Sequence, residues 1–217
     1  MALTLYDNRF STNAAKVRFL LAELGVPYEA VHVGLGPLRP AWYPEVHPLG
    51  TVPALRDGDL TLLESNTMLR YLAVREGRDD LYPAAARDRA LVDQAMDALS
   101  LNVRPAMWGL EEVTIYAAVP PHLGGDDGDL GDPAAVAPRA AELGAALDAF
   151  EAFLAPLPAF TIADCAIAGR LATVPRLPVD LARWPHLARR LEAAWARPAW
   201  AAQRAAAPPD PGDIVGA

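Results

Sequence analysis

Strand-like sequence stops at Tyr82-Pro83. Up to that point short apolar runs alternate with helical spacing, and beyond it the apolar residues recur by threes and fours. Leu3 and Leu5 lie in a short β-rich run. Val17, Leu20, Leu21 and Leu24 then step around one helix face that Gly25 closes. Val26 to Val33 reads as a second strand, followed by a Pro- and Gly-rich stretch from Gly34 to Gly50. Val52 to Leu55 and Leu60 to Leu63 flank Asp57-Gly58, a strong hairpin signal. Ser65 is placed as the N-cap of a helix carrying Met68, Tyr71 and Leu72. Such a βαβ-ββα order demands a sheet with helices against it, and the remainder demands a helical layer.

In the second half, Val92, Met96, Leu99, Val103, Met107 and Leu110 mark one face of a single long helix. Leu143, Leu147, Phe150 and Leu154 mark another, and Leu187, Leu191 and Trp195 a third. Thr161-Ile162-Ala163-Asp164 has the capping-box pattern ahead of an apolar helix. The chain divides near residues 78 to 87, giving expected units of 1–78 and 88–217.

The 217 residues are 53% hydrophobic and 21% charged, which supports a sizeable core and excludes whole-chain disorder. A net charge of -8 and the lack of a basic stripe argue against a nucleic-acid partner. No apolar run reaches the roughly 18 residues of a membrane helix. The N-terminal residues show no signal-peptide pattern, so the expected location is cytoplasmic and no membrane partner is expected. One cysteine, Cys165, excludes a disulfide framework, a CxxC pair and a cysteine zinc site, and its apolar setting reads as an inert core thiol. His32, His47, His122 and His186 have no metal-ligand spacing, so no metal is expected. The Asp-rich loop from His122 to Pro133 lacks the closing Glu of a calcium loop and reads as a solvated connection. Ser11, Ser65 and Ser100 do not sit in a nucleophile elbow, which argues against a serine hydrolase. Lys16 is the one lysine among 19 basic residues; it is attributed to compositional bias and given no role.

Three stretches carry chemistry: Ser11 to Val17, His47 to Pro53, and Leu63 to Asn66. Each sits where a strand meets a loop or a helix start, and ligands collect at such ends of an open α/β layer. At Glu64-Ser65 a helix N-terminus and a hydroxyl suit a carboxylate, while the acid suits an ammonium. For the pair taken alone, a cap plus a solvated acid is the favoured reading. Val52-Pro53 is a candidate cis bond that would present backbone groups to an extended, peptide-like ligand. Ser11-Thr12-Asn13 can cap the first helix, or point a hydroxyl and amides at a thiolate. Hydrogen bonds to the charged form lower a thiol's pKa from its usual ~8.5.

In order and spacing, these motifs resemble the cytosolic glutathione S-transferases, in a bacterial-like form with a serine-type N-terminal motif. The resemblance runs through LYDNRFSTNAAKVRFLLAELGVPYE, HPLGTVPALRDGDLTLLESNTMLRYLA and FTIADCAIAG. It implies an α/β thioredoxin-like N-terminal domain, a glutathione-binding unit, followed by an all-α domain. It implies a glutathione transferase that joins the glutathione thiol to a small-molecule electrophile, with glutathione as co-substrate. The alternative is a non-catalytic glutathione-binding or assembly module of the same fold.

Carried over by position, Val52 would hold the cysteinyl backbone and Pro53 would be the cis-proline. Glu64 and Ser65 would hold the γ-glutamyl amine and carboxylate, and Arg39 lies near the family's cation for the glycyl carboxylate. Thr51 belongs to the same loop but stands where the family often has lysine, and His47 stands in place of asparagine. His47 is expected to be structural. The thiol-activating group is assigned to Ser11, with Tyr6, Thr12 and Asn13 left open. The electrophile is expected against Arg9, Phe10, Val103, Met107 and Trp108, although Val103 and Met107 read better as helix core. A homodimer is expected through the helices carrying Met68 to Leu72 and Met96 to Leu99, with Asp97 near the partner's glutathione amine.

Overall fold

A computed structural model describes residues 3–116 and 133–207. The expected Asp-rich loop therefore lies outside the described residues except for Pro133.

Strands β1 (Leu3–Asp7), β2 (Tyr28–His32), β3 (Ala54–Asp57) and β4 (Leu60–Leu62) form one four-stranded sheet in the order β2-β1-β3-β4. β1 runs parallel to β2 and antiparallel to β3, and β3 is antiparallel to β4. Helix α1 (Thr12–Leu24) makes the crossover between the parallel strands. It ends as its sequence predicts, with Gly25 left-handed at φ 64 and donating to Ala22 and Leu21 carbonyls. Helix α2 (Ser65–Arg75) follows the hairpin. This mixed sheet with its helices is the thioredoxin-like arrangement.

Strand alternation divides the packing. Leu3, Leu5 and Leu55 join the large core, whereas Tyr6 and Ala54 join a smaller cluster with Val33, Tyr43 and Val52. After β4 every regular element among the described residues is helical: α3 (Ala86–Ala98), α4 (Arg104–Thr114), α5 (Pro133–Leu154), α6 (Ile162–Arg170), α7 (Pro185–Trp195) and α8 (Pro198–Ala205). None of them is long and apolar enough to cross a membrane. The large core runs without a break from Leu3 to Ala194, so the sheet half and the helical half share one interior.

Several sequence expectations move by a residue or more. The hairpin turn is Gly58-Asp59, because Asp57 still pairs with Leu60. Gly58 alone takes the positive φ, at 62°, as a type II′ turn requires. The second strand begins at Tyr28, later than Val26. The expected long helix is interrupted by a π-helical turn, Leu99–Val103, which keeps Leu99 and Val103 buried but changes the winding between α3 and α4. Ser65 is not an N-cap. Glu64 occupies that position with φ 66 and ψ 107, and Ser65 is the first helical residue.

The capping box at α6 is present: Ala163 N–H donates to Thr161 Oγ1 at 3.2 Å, and Thr161 N–H donates to Asp164 Oδ2 at 2.8 Å. Arg190 braces the same carboxylate through Oδ1 at 2.8 Å. α6 lies directly on α1. A Cβ at Gly169 would fall 2.6 Å from both Lys16 Cβ and Lys16 N, so only glycine permits this approach. Cys165 is fully buried in the same layer, and burial pushes its thiol well above the ordinary range, as befits an inert core thiol.

Candidate active site

A cleft of about 450 Å³ opens between the sheet half and the helical half. The loop before β3 supplies His47, Leu49, Thr51, Val52 and Pro53. The start of α2 supplies Glu64, Ser65, Asn66 and Thr67, and Arg70 follows one turn on. α1 supplies Asn13 and Lys16, and the helical half supplies Asp97, Ser100 and Arg104. Of the residues selected from sequence, Thr51, Val52, Pro53, Glu64 and Ser65 come together here.

Local conformation explains how each is presented. The Val52–Pro53 peptide bond is cis. Val52 lies beyond the end of the β1–β3 ladder, whose last pair is Tyr6 with Ala54, so the edge is positioned to receive an extended chain. The left-handed backbone of Glu64 turns β4 directly into α2, an arrangement that costs about 1 kcal/mol or more for a residue with a Cβ. As a result the first-turn N–H groups of α2 and the Ser65 side chain face the cleft with the positive end of the helix dipole.

His47 and Thr51, the two departures from the family pattern, are partners. His47 Nε2 and Thr51 Oγ1 are 2.9 Å apart, and the Tyr43 hydroxyl donates to the Thr51 carbonyl at 2.8 Å. Burial lowers the His47 pKa, which favours a neutral ring that braces the loop. Thr51 thus closes its own loop and does not present a cation. Arg39 packs its guanidinium against Gly50, where a Cβ would lie 3.3 Å from Arg39 Nη1. It borders the loop and is not among the residues lining the cleft.

Ser11 is the N-cap of α1, with its hydroxyl accepting from Ala14 N–H at 3.2 Å. It is not among the lining residues, whereas Asn13 is. The Thr12 hydroxyl accepts from Arg170 at 3.0 Å and belongs to a buried network in which Arg170 also pairs with Glu111 at 2.7 Å. Tyr6 is buried against Trp42 and Tyr43. Val103 and Met107 are fully buried core residues, so the core alternative describes them. Phe10 and Trp108 are exposed. Met68, Leu72, Met96 and Leu99 are likewise buried within their own protomer, so any contact through α2 and α3 must use the opposite faces, where Val74 is exposed.

Lys16 and Asn66 fall inside two of the stretches singled out from sequence but have no role assigned there, and Ser100 and Arg104 fall outside them. Their signal is spatial: α1, α2 and the segment between α3 and α4 meet only in three dimensions. A second hollow, of about 820 Å³, lies against Trp195, Trp200 and Arg204. It has one charged lining residue and no converging polar groups, so the chemistry belongs to the first cleft.

The family follows from comparison. A family model described as "Glutathione S-transferase, N-terminal domain" matches residues 5–79. Glutathione S-transferase 3 of Zea mays is 33% identical over 221 residues, covering 96% of each chain. The chain belongs to the glutathione S-transferase family. GstB of Escherichia coli, also named a glutathione S-transferase, is 37% identical over 112 residues, half of this chain and 54% of its own. Among solved structures, the apo form of a glutathione S-transferase III superposes with a TM-score of 0.77 at 33% identity, covering 97% of this chain and 99% of that one. A theta class glutathione S-transferase from Xanthomonas axonopodis pv. citri, solved with glutathione bound, gives 0.76 at 28% identity, with 93% and 96% covered. In this glutathione S-transferase family chain, the cleft lies at the ends of the strands, beside the cis-proline and the start of α2.

Proposed function

We propose that this chain is a glutathione transferase: it binds glutathione as co-substrate and joins the thiol to a small electrophile. The observation that carries the reading is the convergence on one cleft of the Val52–Pro53 edge, the start of α2 with Ser65, and Glu64. The edge suits the cysteinyl backbone, the helix start suits the γ-glutamyl carboxylate, and Glu64 suits the amine. The relatives' names and the glutathione-bound neighbour support the same ligand.

Under this reading, residues 1–78 carry the glutathione site and residues 88–217 supply the electrophile side, with Phe10 and Trp108 as its exposed aromatic groups. Arg39 serves the glycyl carboxylate from the rim, while Thr51 acts by shaping the loop. Ser11 donates to the thiolate. Its oxygen already accepts from the Ala14 amide, which leaves the hydroxyl proton free to point outward, near a helix N-terminus that favours negative charge. The thiol proton then leaves to water, and the thiolate sulfur attacks the electrophilic carbon and displaces its leaving group, chloride in chlorodinitrobenzene, so that a C–S bond replaces the C–Cl bond, with positioning supplying much of the rate. The active species is a homodimer, with α2 and α3 contributing their outer faces and Asp97 close to the partner's amine site. A monomer in light scattering at micromolar concentration contradicts the dimer.

Two measurements test the reading. Glutathione should raise the melting temperature, and chlorodinitrobenzene should be conjugated. Binding without turnover on any electrophile favours the module alternative. Ser11→Ala should raise the pH at which bound thiol ionises and lower turnover while leaving glutathione affinity nearly unchanged. A silent Ser11→Ala beside a crippled Tyr6→Phe moves the role to Tyr6.

A further inference from the structure

Lys16 lies at the floor of the cleft. It is 4% exposed, yet it is one of the residues that line the cavity. Its ammonium donates to Asn66 Oδ1 at 2.7 Å, and Asn66 Nδ2 donates to Ser100 Oγ at 3.0 Å. Ammonium, amide and hydroxyl therefore form a chain from α1, through the first turn of α2, to the π-helical turn after α3. All three residues line the cleft, and Ser65 is the neighbour of Asn66. The backbone at Lys16 is fixed by the close approach of α6 at Gly169, and its ammonium is held by the bond to Asn66.

The unusual point is the partner. A buried charge is ordinarily neutralised by an opposite charge, because desolvation otherwise disfavours it. Here the hydrogen-bonded partner is a neutral amide. The groups that face Lys16 from the packed elements are mostly like-charged: Arg170 on α6, Arg104 on α4 and Arg70 on α2. Glu64 at the start of α2 is the acid among them. Asp97 on α3 lines the same cleft but is engaged with Arg70 at 3.2 Å. Burial, reinforced by those guanidiniums, lowers the Lys16 pKa to about 7. Among the described residues, then, Lys16 has a neutral hydrogen-bond partner, three guanidiniums around it and Glu64 as the facing acid.

We propose that Lys16 is a further binding residue: its ammonium is the counter-charge for the γ-glutamyl α-carboxylate held at Ser65, and it takes up a proton when that carboxylate arrives. This rests on the glutathione reading above. The Lys16–Asn66 bond places the cation beside the first turn of α2, where the carboxylate is received. An anion there favours the charged lysine, so binding and protonation are coupled. Thr51 and Lys16 line the same cleft. The positive charge missing from the loop is supplied from α1.

The test uses S-methylglutathione, which has no ionisable thiol, and titration calorimetry at pH 8 in buffers of different ionisation heat. A lysine with pKa near 7 is about one tenth protonated at pH 8, so binding should take up about half a proton or more per site. Wild-type affinity should fall between pH 6.5 and 8.5. Lys16→Met should bind more weakly at pH 6.5, show a flat profile and take up no proton. Binding by the wild type without proton uptake overturns the proposal even if Lys16→Met does not fold, and so does uptake that persists in Lys16→Met. Failure of S-methylglutathione to bind at all overturns the glutathione reading, and this inference with it.

Discussion

Replacing Gly169 with alanine probes the contact that fixes the floor of the cleft. The new Cβ would lie 2.6 Å from Lys16 Cβ, 2.6 Å from Lys16 N and 2.7 Å from Lys16 Cα. Carbon atoms pack at about 3.5–4.0 Å, so the two helices must part by roughly 1 Å. Two of the three obstructing atoms are backbone and the third is a Cβ, so no rotamer change relieves the clash. The separated layer is core: Val17 and Leu20 on α1, and Cys165, Ala166 and Ala168 on α6, are all fully buried. Overpacking a core costs about 1–3 kcal/mol, and the backbone contact places this site near 3 kcal/mol. For a chain of this length each kcal/mol lowers Tm by about 2–4 °C, so a loss of about 6–12 °C is expected in a calorimetric or circular-dichroism melt. Gly77→Ala is the control. Gly77 has φ 64 with nothing within 4 Å of a Cβ, so alanine there meets conformational strain alone, about 1 kcal/mol. A Gly169→Ala loss no greater than that of Gly77→Ala would refute the argument that α1 and α6 touch backbone to backbone.

Ser65→Ala should weaken glutathione binding by about 1–3 kcal/mol, through loss of a hydrogen-bonding group facing a carboxylate; an unchanged dissociation constant in calorimetry contradicts that role. Glu64→Gly should relieve the left-handed backbone and stabilise the fold by up to about 1 kcal/mol in urea melts, while glutathione affinity falls, so a gain in both would show that the strain serves no ligand. Lys16 sets a pH signature of stability. Its pKa is about 7 folded against 10.5 as the unperturbed value, so between these pH values the unfolded chain binds more protons and wild-type stability rises with pH. The rise should approach about 1.4 kcal/mol per pH unit relative to Lys16→Met; parallel profiles for the two proteins between pH 7 and 10 contradict the buried ammonium.

What was legible in the sequence follows from how local each determinant is. Gly25 as the end of α1 and Thr161 with Asp164 as the start of α6 are decided within four residues of chain, and both were readable. The hairpin slipped by one residue because Asp57-Gly58 and Gly58-Asp59 both offer a positive φ at Gly58, and the choice rests on pairing across the sheet. The start of α2 was misassigned because serine is the better cap by propensity, whereas the cap position falls to Glu64 in a backbone conformation that propensity disfavours. Such a departure is expected where a ligand site overrides local preference. The π-helical turn left no trace because Leu99 and Val103 keep a helical spacing of four through it. Lys16 has no local signature, because its partner, Asn66, lies 50 residues away and its crowding by Gly169 lies 153 residues away.

Under the proposed reading, the charges of the cleft act against the field of the whole protein. The chain carries a net charge of -8, which repels an anionic ligand at long range. Within the cleft the count differs. Lys16, Arg70 and Arg104 face Glu64 and Asp97, but Arg70 is already shared between Asp93 at 2.6 Å and Asp97 at 3.2 Å. Lys16 holds an amide, and Arg104 makes no ion pair among the described residues. The first turn of α2 adds its unpaired N–H groups and partial positive charge. Surface repulsion is screened over about 8 Å at physiological salt, whereas the partly buried cations act at contact distance, where screening is weak. In the proposed arrangement a ligand with two carboxylates and one ammonium matches this set, its ammonium placed on Glu64 and one carboxylate between Ser65 and Lys16. The other carboxylate is left for the rim, where Arg39 packs on Gly50. A dicarboxylate without the amine would leave Glu64 facing like charge, so the same geometry that accepts glutathione should reject it.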